Sequence, residues 1–337
     1  MIDCIFTLDY EIYGNGEGSL KNLIYDPTER LLETFRKWDC RFVAFVEAAE
    51  LEIIDAQGSD SGIDLVRRQI KELYKQSHEI ALHLHPQWYN ADYKHGRWNL
   101  DYTEYNLCNL SRDRIKYIVD RALSYLRTIL DDPKFTPVSF RAGNWLFQPT
   151  HVAATILAEH GIKVDSSVFK GGVQRKHRLD YRPSLKNGHY WRFQNDVNTP
   201  DPEGALLEMP IHSVMVPFWH MLTSKRVGIQ RKVLSVASHG VGRRFDRLFD
   251  FLRPRYPLKL DFCRMTIQEL ISKVNCIINE DARSPALYRP LVAIGHTKDL
   301  VDFETIEKFL SFLQEKGIAV ARLKDAYHKV QNMSASA

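Results

Sequence analysis

Strand-like and helix-like segments alternate at least five times along this chain, and that alternation limits what it can fold into. Ile2–Leu8 and Arg41–Glu47 are short apolar runs that read as strands. So are Glu79–His85, Pro137–Arg141, Ile162–Val164 and Leu291–Gly295. Between them, apolar residues recur at helical spacing. Examples are Leu31, Leu32 and Phe35 after Asp26-Pro27, and Ile63, Val66, Ile70 and Leu73 ahead of the third strand. Ile115, Ile118, Val119, Ala122, Leu126 and Ile129 mark a long helix capped near Ser111. Pro149–His160 is a helix stopped by Gly161. Further on, Thr266 and Glu269 form a capping box that opens a helix to about Asn279. Phe303–Glu315 and Leu323–Val330 complete the set. Such alternation predicts an α/β fold with a mostly parallel sheet, open or closed into a barrel.

The length of 337 residues suits one barrel-sized domain over 1–330 with an insertion. Regularity drops between Phe169 and Asp261, and that stretch reads as the insertion, with a strand-like Ala205–Ile211 inside it. Residues 331–337 read as a disordered tail. Five scattered cysteines without a CxxC pair argue against a disulfide framework or a zinc knuckle. No run of about 18 apolar residues marks a transmembrane helix. Met1 leads straight into a strand with no leader-like segment, so a reduced, cytoplasmic setting is expected.

The chemistry gathers at the strand ends. His83 and His85 are two residues apart, which on a strand places both imidazoles on one face, and Pro86 then ends the ladder. Two adjacent nitrogen donors are half of a metal site. Asp9 and Glu11 repeat the spacing of two, so one carboxylate is a candidate ligand and the other a candidate base. Arg141 is placed to orient such a carboxylate, and Gly143 to let backbone approach a ligand closely. His296 is a candidate general acid, with Asp165 as a residue that would orient it. Glu47 and Glu208 end strand-like runs and are weaker candidates. The aromatic stretch from Trp88 to Tyr105 would stack on sugar rings or form a small core of its own.

Charge is unevenly spread. From Lys225 to Lys259 ten basic residues face two acidic ones, a net +8 in a chain of net +4. Phe245, Leu248, Phe249 and Leu252 recur there at helical spacing. This predicts a basic amphipathic helix over part of 225–259, either packed on the domain or in weak contact with a membrane surface or a phosphate-bearing substrate. Nucleic acid is not expected, because no nucleic-acid-binding motif accompanies the charge.

The order of these motifs resembles the polysaccharide deacetylases with a NodB homology domain, carbohydrate esterase family 4. Thr7-Leu8-Asp9-Tyr10-Glu11 is similar to the family's first motif, with Tyr10 where a second aspartate is usual. His78-Glu79-Ile80 and His83-Leu84-His85-Pro86 resemble the second, with the histidines closer than usual. Arg141, Gly143 and Trp145 resemble the third, and Val292–His296 the last. The forms TLDYE, HLHP, DSS and GHTKD look most like a branch found in bacterial O-antigen and other surface-polysaccharide gene clusters.

The resemblance implies a distorted (β/α) barrel and one divalent metal ion, zinc first, with cobalt or manganese as alternatives. It implies removal of an N-acyl group from an amino sugar or glycan, lipid-linked, nucleotide-linked or polymeric. Carried over, Asp9 is the base, and Glu11, His83 and His85 are the ligands. Arg141 supports Asp9, His296 is the acid, and backbone near Trp145 binds the oxyanion. The rival readings are another metal-dependent amidohydrolase and a metal-free carbohydrate-binding protein that keeps the cleft alone.

Overall fold

The computed structural model describes residues 1–229 and 254–335. Its strands are β1 (Ile2–Tyr10), β2 (Val43–Glu47), β3 (Glu79–Leu84), a hairpin of β4 (Asp92–Lys94) and β5 (Arg97–Asn99), β6 (Ser139–Ala142) and β7 (Val164–Asp165). Then come a hairpin of β8 (Val173–Gln174) and β9 (Leu179–Asp180), β10 (Trp191–Phe193), and β11 (Leu206–Glu208). A hairpin of β12 (Ser213–Pro217) and β13 (Arg255–Lys259), β14 (Arg289–His296) and β15 (Ala319–Val320) follow.

The main sheet runs β10-β11-β7-β6-β3-β2-β1-β14, with β15 pairing the start of β1. Every ladder in it is parallel except β10 on β11. Parallel neighbours need crossovers, and the helices Asp26–Lys37, Ile63–Lys75, Arg112–Leu130, His151–Glu159 and Phe303–Glu315 provide them. β2, β3 and β6 are buried at every residue, as a sheet covered on both faces requires. The helix Arg112–Leu130 shows the local logic. Ser111 Oγ accepts from the Arg114 amide, and Ile115, Ile118, Val119, Ala122 and Leu126 face the core, as the spacing predicts. The capping box of Thr266 and Glu269 is present, and its helix runs on to Arg283.

The expected barrel is realised as a sheet curled into a half-barrel. The ladder stays open between its two edges, where isolated parallel bridges pair Ile211 with Val292 and Asp261 with Ile294. The stretch 169–261 is more than an insertion. β11 lies inside the main sheet, in register with β7, and two hairpins pack beside it. The tail expected to be disordered is helical as far as Ala335, continuing the helix from Leu323. The apolar positions Phe245, Leu248, Phe249 and Leu252 lie outside the described residues. At the start of that basic run, Lys225 pairs with Asp302 at 2.9 Å and Arg226 pairs with Glu269, so both are held by the domain's own carboxylates.

Candidate metal centre and active site

Parallel strands bring their C-terminal ends to one rim, and register decides which side chains meet there. Asp9 on β1 pairs with His296 on β14, and His83 on β3 pairs with Arg141 on β6. Glu11 follows two residues after Asp9, and His85 two after His83. All six are buried.

Three of them form a compact donor set. Glu11 Oε2 lies 3.4 Å from His83 Nε2 and 3.0 Å from His85 Nε2, and one ligand atom from each of the three lies within 4.8 Å of the others. One carboxylate oxygen and two imidazole nitrogens suit a divalent transition metal. The surrounding bonds fix the rings. His83 Nδ1 is 2.8 Å from the Arg141 carbonyl oxygen, which accepts only a proton, so Nδ1 carries the hydrogen and Nε2 keeps its lone pair. His85 Nδ1 sits 3.2 Å from the side-chain amides of both Gln87 and Asn144. Gln87 Oε1 is buried without a partner, so that amide can be turned end for end to bring its oxygen to His85 Nδ1, and Nε2 is freed when the Asn144 amide, whose nitrogen also faces Nδ1, is turned with it. The residues present therefore fit a metal.

Gly143 serves this arrangement differently from expectation. A Cβ there would lie 2.5 Å from the Leu84 carbonyl oxygen and 2.8 Å from His85 Cγ. What the backbone approaches is the His85 ring. The next two residues, Asn144 and Trp145, both adopt positive φ, 55° and 60°. Two consecutive non-glycine residues in that region are uncommon and mark a held turn at the site.

Lys298 closes the other side of Glu11. Its Nζ donates to Glu11 Oε1 at 2.7 Å and to the Ile12 carbonyl at 2.9 Å. Burial alone would raise the Glu11 pKa, but Lys298, then His85 and His83, hold it well below the usual range. The carboxylate is thus ionised, with Oε2 left for a ligand role.

Asp9 stands beside this set as the second carboxylate. Arg141 Nη1 donates to Asp9 Oδ1 at 2.6 Å, and His296 Nε2 lies 3.4 Å from Asp9 Oδ2. Arg141 is itself fixed by the Ser166 carbonyl at 2.8 Å, Thr7 Oγ1 at 3.0 Å and the Phe45 ring, 4.1 Å from its guanidinium carbon. Burial would raise the Asp9 pKa. Arg141, helped by His83 and His296, lowers it below its ordinary value. Burial pushes His296 down to about 4, so its resting form is neutral.

Two expected residues sit elsewhere. Asp165 does not orient His296. It accepts from Ser167 Oγ at 2.7 Å and from the Ser167 amide, and it shares a hydrogen bond with Glu208 across the β7–β11 register. The carboxylate that faces His296 Nδ1 is Asp299, 3.7 Å away and held by Arg264 at 2.6 Å. Trp88 is 1 % exposed and packs edge-on against Trp98, so it cannot stack on a ligand. Glu47, in register with His83, is spent on capping the helix that starts at Ala48. His78 lies at the opposite end of β3, where its Nδ1 accepts from the Phe42 amide.

Sequence reasoning missed Lys259. It leaves the basic run at the end of β13 and lays its Nζ 3.1 Å from the centroid of the Trp145 ring, which in turn stands edge-on to His296. Burial lowers its pKa to about 7. In the sequence it reads as one more solvated cation, and nothing local separates it from its neighbours. Lys298 and Asp299 carried a signal that went unused, since both adjoin His296 in GHTKD.

Comparison with solved structures finds this fold again in a protein described as a candidate polysaccharide deacetylase. A candidate polysaccharide deacetylase from Mycobacterium smegmatis superposes with a TM-score of 0.55 at 15% identity, covering 99% of this chain and 91% of that one. A candidate polysaccharide deacetylase from Pseudomonas aeruginosa PAO1 gives 0.47 at 12% identity, over 96% and 89%. A CE4 family pseudoenzyme from Bacillus anthracis gives 0.44 at 10% identity, over 96% of this chain and 64% of its own. No family model matches the sequence, and no curated protein matches it.

Proposed function

We propose that this chain is a metal-dependent hydrolase that removes an N-acyl group, acetyl first, from an amino sugar. The observation that carries the reading is the convergence of Glu11, His83 and His85 beside an ionised Asp9 that is gripped by Arg141 and faces His296. A divalent ion held by those three residues would supply Lewis-acid polarisation of the acyl carbonyl and a lowered pKa for water. Asp9 accepts the proton of the attacking water. Arg141 keeps Asp9 ionised and aimed while it does so. His296, neutral at rest, receives that proton from Asp9 across the 3.4 Å gap and delivers it to the leaving nitrogen. Asp299 faces the far nitrogen of the ring and steadies the imidazolium that forms. The turn at Asn144 and Trp145 supplies backbone donors for the oxyanion. The sequence forms noted above support a place in bacterial surface-polysaccharide synthesis, O-antigen included.

The test is metal content by mass spectrometry on untagged protein, alongside a His83→Ala/His85→Ala variant. The expected result is about one divalent ion per chain, lost in the variant. Acyl release from N-acetylated amino sugars should fall by roughly 10²-fold or more with it. Metal-free wild type that binds glycan without releasing acyl groups would replace this reading with that of a binding protein.

A further inference from the structure

The cations around the reaction centre are matched by carboxylates, with one exception. Arg141 has Asp9 at 2.6 Å, Lys298 has Glu11 at 2.7 Å, and Arg264 has Asp299 at 2.6 Å. Lys259 has no carboxylate partner among the described residues. Asp261, two residues further on, is engaged elsewhere, since its Oδ1 accepts from the Cys263 and Arg264 amides at 3.0 Å each. The half-buried Lys259 ammonium is left on the Trp145 ring, 3.1 Å from its centroid, with the Phe169 ring 4.9 Å away. An aromatic face repays only part of what an ammonium loses on leaving water. Burial accordingly brings its pKa down to about 7, with Asp261 and Asp9 favouring the charge and Arg264 and Arg141 opposing it.

The backbone seats this lysine at the rim. Just after β13, the Phe262 amide donates to the Ile294 carbonyl at 3.0 Å and the Ile294 amide to the Leu260 carbonyl at 2.9 Å, which ties the chain to the strand that ends in His296. The Trp145 ring stands edge-on to His296, with centroids 6.0 Å apart. At most one indole therefore separates the ammonium from the imidazole that serves the leaving nitrogen, and a sugar ring has a similar span. Donors there lack acceptors, because Trp145 Nε1 is also buried with no hydrogen-bond partner among the described residues.

We propose that Lys259 binds a carboxylate of the substrate, so that the amino sugar presented to Asp9 and His296 is acidic and carries that carboxylate on the same ring as its N-acyl group. This rests on the hydrolase reading for the reaction itself, and on Lys259 for the acidic group. A carboxylate brings the one negative charge that this ammonium lacks, and a compact point charge on a flexible stem suits a single anion. A sugar hydroxyl would accept a hydrogen bond and leave the charge uncompensated. The same anion holds the lysine in its charged form once bound.

The experiment compares N-acetylglucosaminuronate with N-acetylglucosamine, and the galacto forms of the two, pairs that differ only in the carboxylate. Binding is read by calorimetry in the His83→Ala/His85→Ala background, where no metal at that site can chelate the carboxylate. In at least one pair the acidic sugar should bind about ten-fold or more tightly than the neutral one, with the difference shrinking in added salt. Adding Lys259→Met, which keeps the aliphatic cover on Trp145, should bring the pair to within about two-fold. Lys259→Arg keeps the charge and should retain most of the preference. Circular dichroism checks that the variants fold, and Lys259→Gln takes the place of Lys259→Met if the latter does not. Equal binding within both pairs, no binding of either acidic sugar at low ionic strength, or a preference that survives loss of the ammonium would each overturn the assignment. Acyl release is read separately on protein with His83 and His85 intact. Selective binding of the acidic sugar with no acyl group released would end the hydrolase reading and leave the role of Lys259 standing. Release from both members of a pair at the same kcat/KM would do the reverse. A fall in kcat on both members alike in Lys259→Met, with their ratio unchanged, would assign the ammonium to the oxyanion or to the fold and overturn the proposal.

Discussion

Two pairs of buried carboxylates end strands of the same sheet and have opposite fates. Asp9 and Glu11 sit beside β14, and Asp165 and Glu208 sit on β7 and β11. Burial pushes all four toward the neutral form. Asp9 has Arg141 and Glu11 has Lys298, and both are held below their ordinary pKa. Asp165 and Glu208 have one another, and both are raised. Burial alone therefore does not make a reactive carboxylate. A buried cation must meet it, and here that happens at the rim where the histidines converge.

The largest expected effect comes from removing that pairing. Asp9→Asn keeps the shape but leaves Arg141 buried without its counter-charge, which should cost roughly 3–5 kcal/mol in stability. Turnover should fall by about 10²–10⁴-fold. The pH dependence identifies the cause. A carboxylate with a lowered pKa contributes stability above its unfolded value of 3.8 and loses it as pH falls through the folded value. The gap between wild type and Asp9→Asn in urea unfolding should therefore close as the solution is acidified below about pH 4. A gap that stays constant would mean that the hydrogen bond, rather than the charge, is what Arg141 contributes.

Much of the rim was legible because parallel strands convert spacing into geometry. His83 and His85, Asp9 and Glu11, Arg141 and His296 could be placed from period two and strand ends alone. The same rule misassigned Asp165, because its strand is two residues long and its side chain is claimed by the next strand, β11. That strand looked like part of an insertion. Of the two readings of the aromatic loop, Trp88 takes the small core rather than the sugar platform, because Trp98 of the β4–β5 hairpin packs edge-on against it, which composition does not reveal. Lys259 was invisible for a related reason. Its aromatic partners, Trp145 and Phe169, are distant in sequence and meet it through a hairpin that leaves the regular α/β pattern.

A smaller effect tests the same rule from the basic side. His83, beside Glu11, is raised despite burial. His78, at the other end of β3, has Arg41, Arg36 and Arg322 for neighbours, and burial takes it down to about 3. Between pH 6.5 and that value the unfolded chain binds a proton that the folded protein refuses, so stability falls as pH falls. His78→Asn, which keeps an acceptor for the Phe42 amide, should remove that loss. The variant should gain on the order of 2 kcal/mol relative to wild type between about pH 6.5 and 4, read from unfolding midpoints. Parallel pH profiles would mean that His78 is charged in the folded protein.

The smallest effect should come from the second carboxylate pair, and its sign should be reversed. Glu208 is buried with a raised pKa, so its folded form keeps a proton that the unfolded chain gives up above 4.5. Stability from this group is full below that pH and declines as pH rises toward the folded value. Glutamine has nearly the shape of the protonated acid and keeps an oxygen for the Val168 amide, now bound to Glu208 Oε1 at 3.2 Å. Glu208→Gln should change stability by less than about 1 kcal/mol near pH 4.5 and become the more stable protein as pH rises. Asp9→Asn loses most at neutral pH, where Glu208→Gln gains. If Glu208→Gln instead lost several kcal/mol at neutral pH, Glu208 would have to be ionised against a buried cation. The contrast between the two pairs would then collapse, and β11 would join the rim as a further source of ligands.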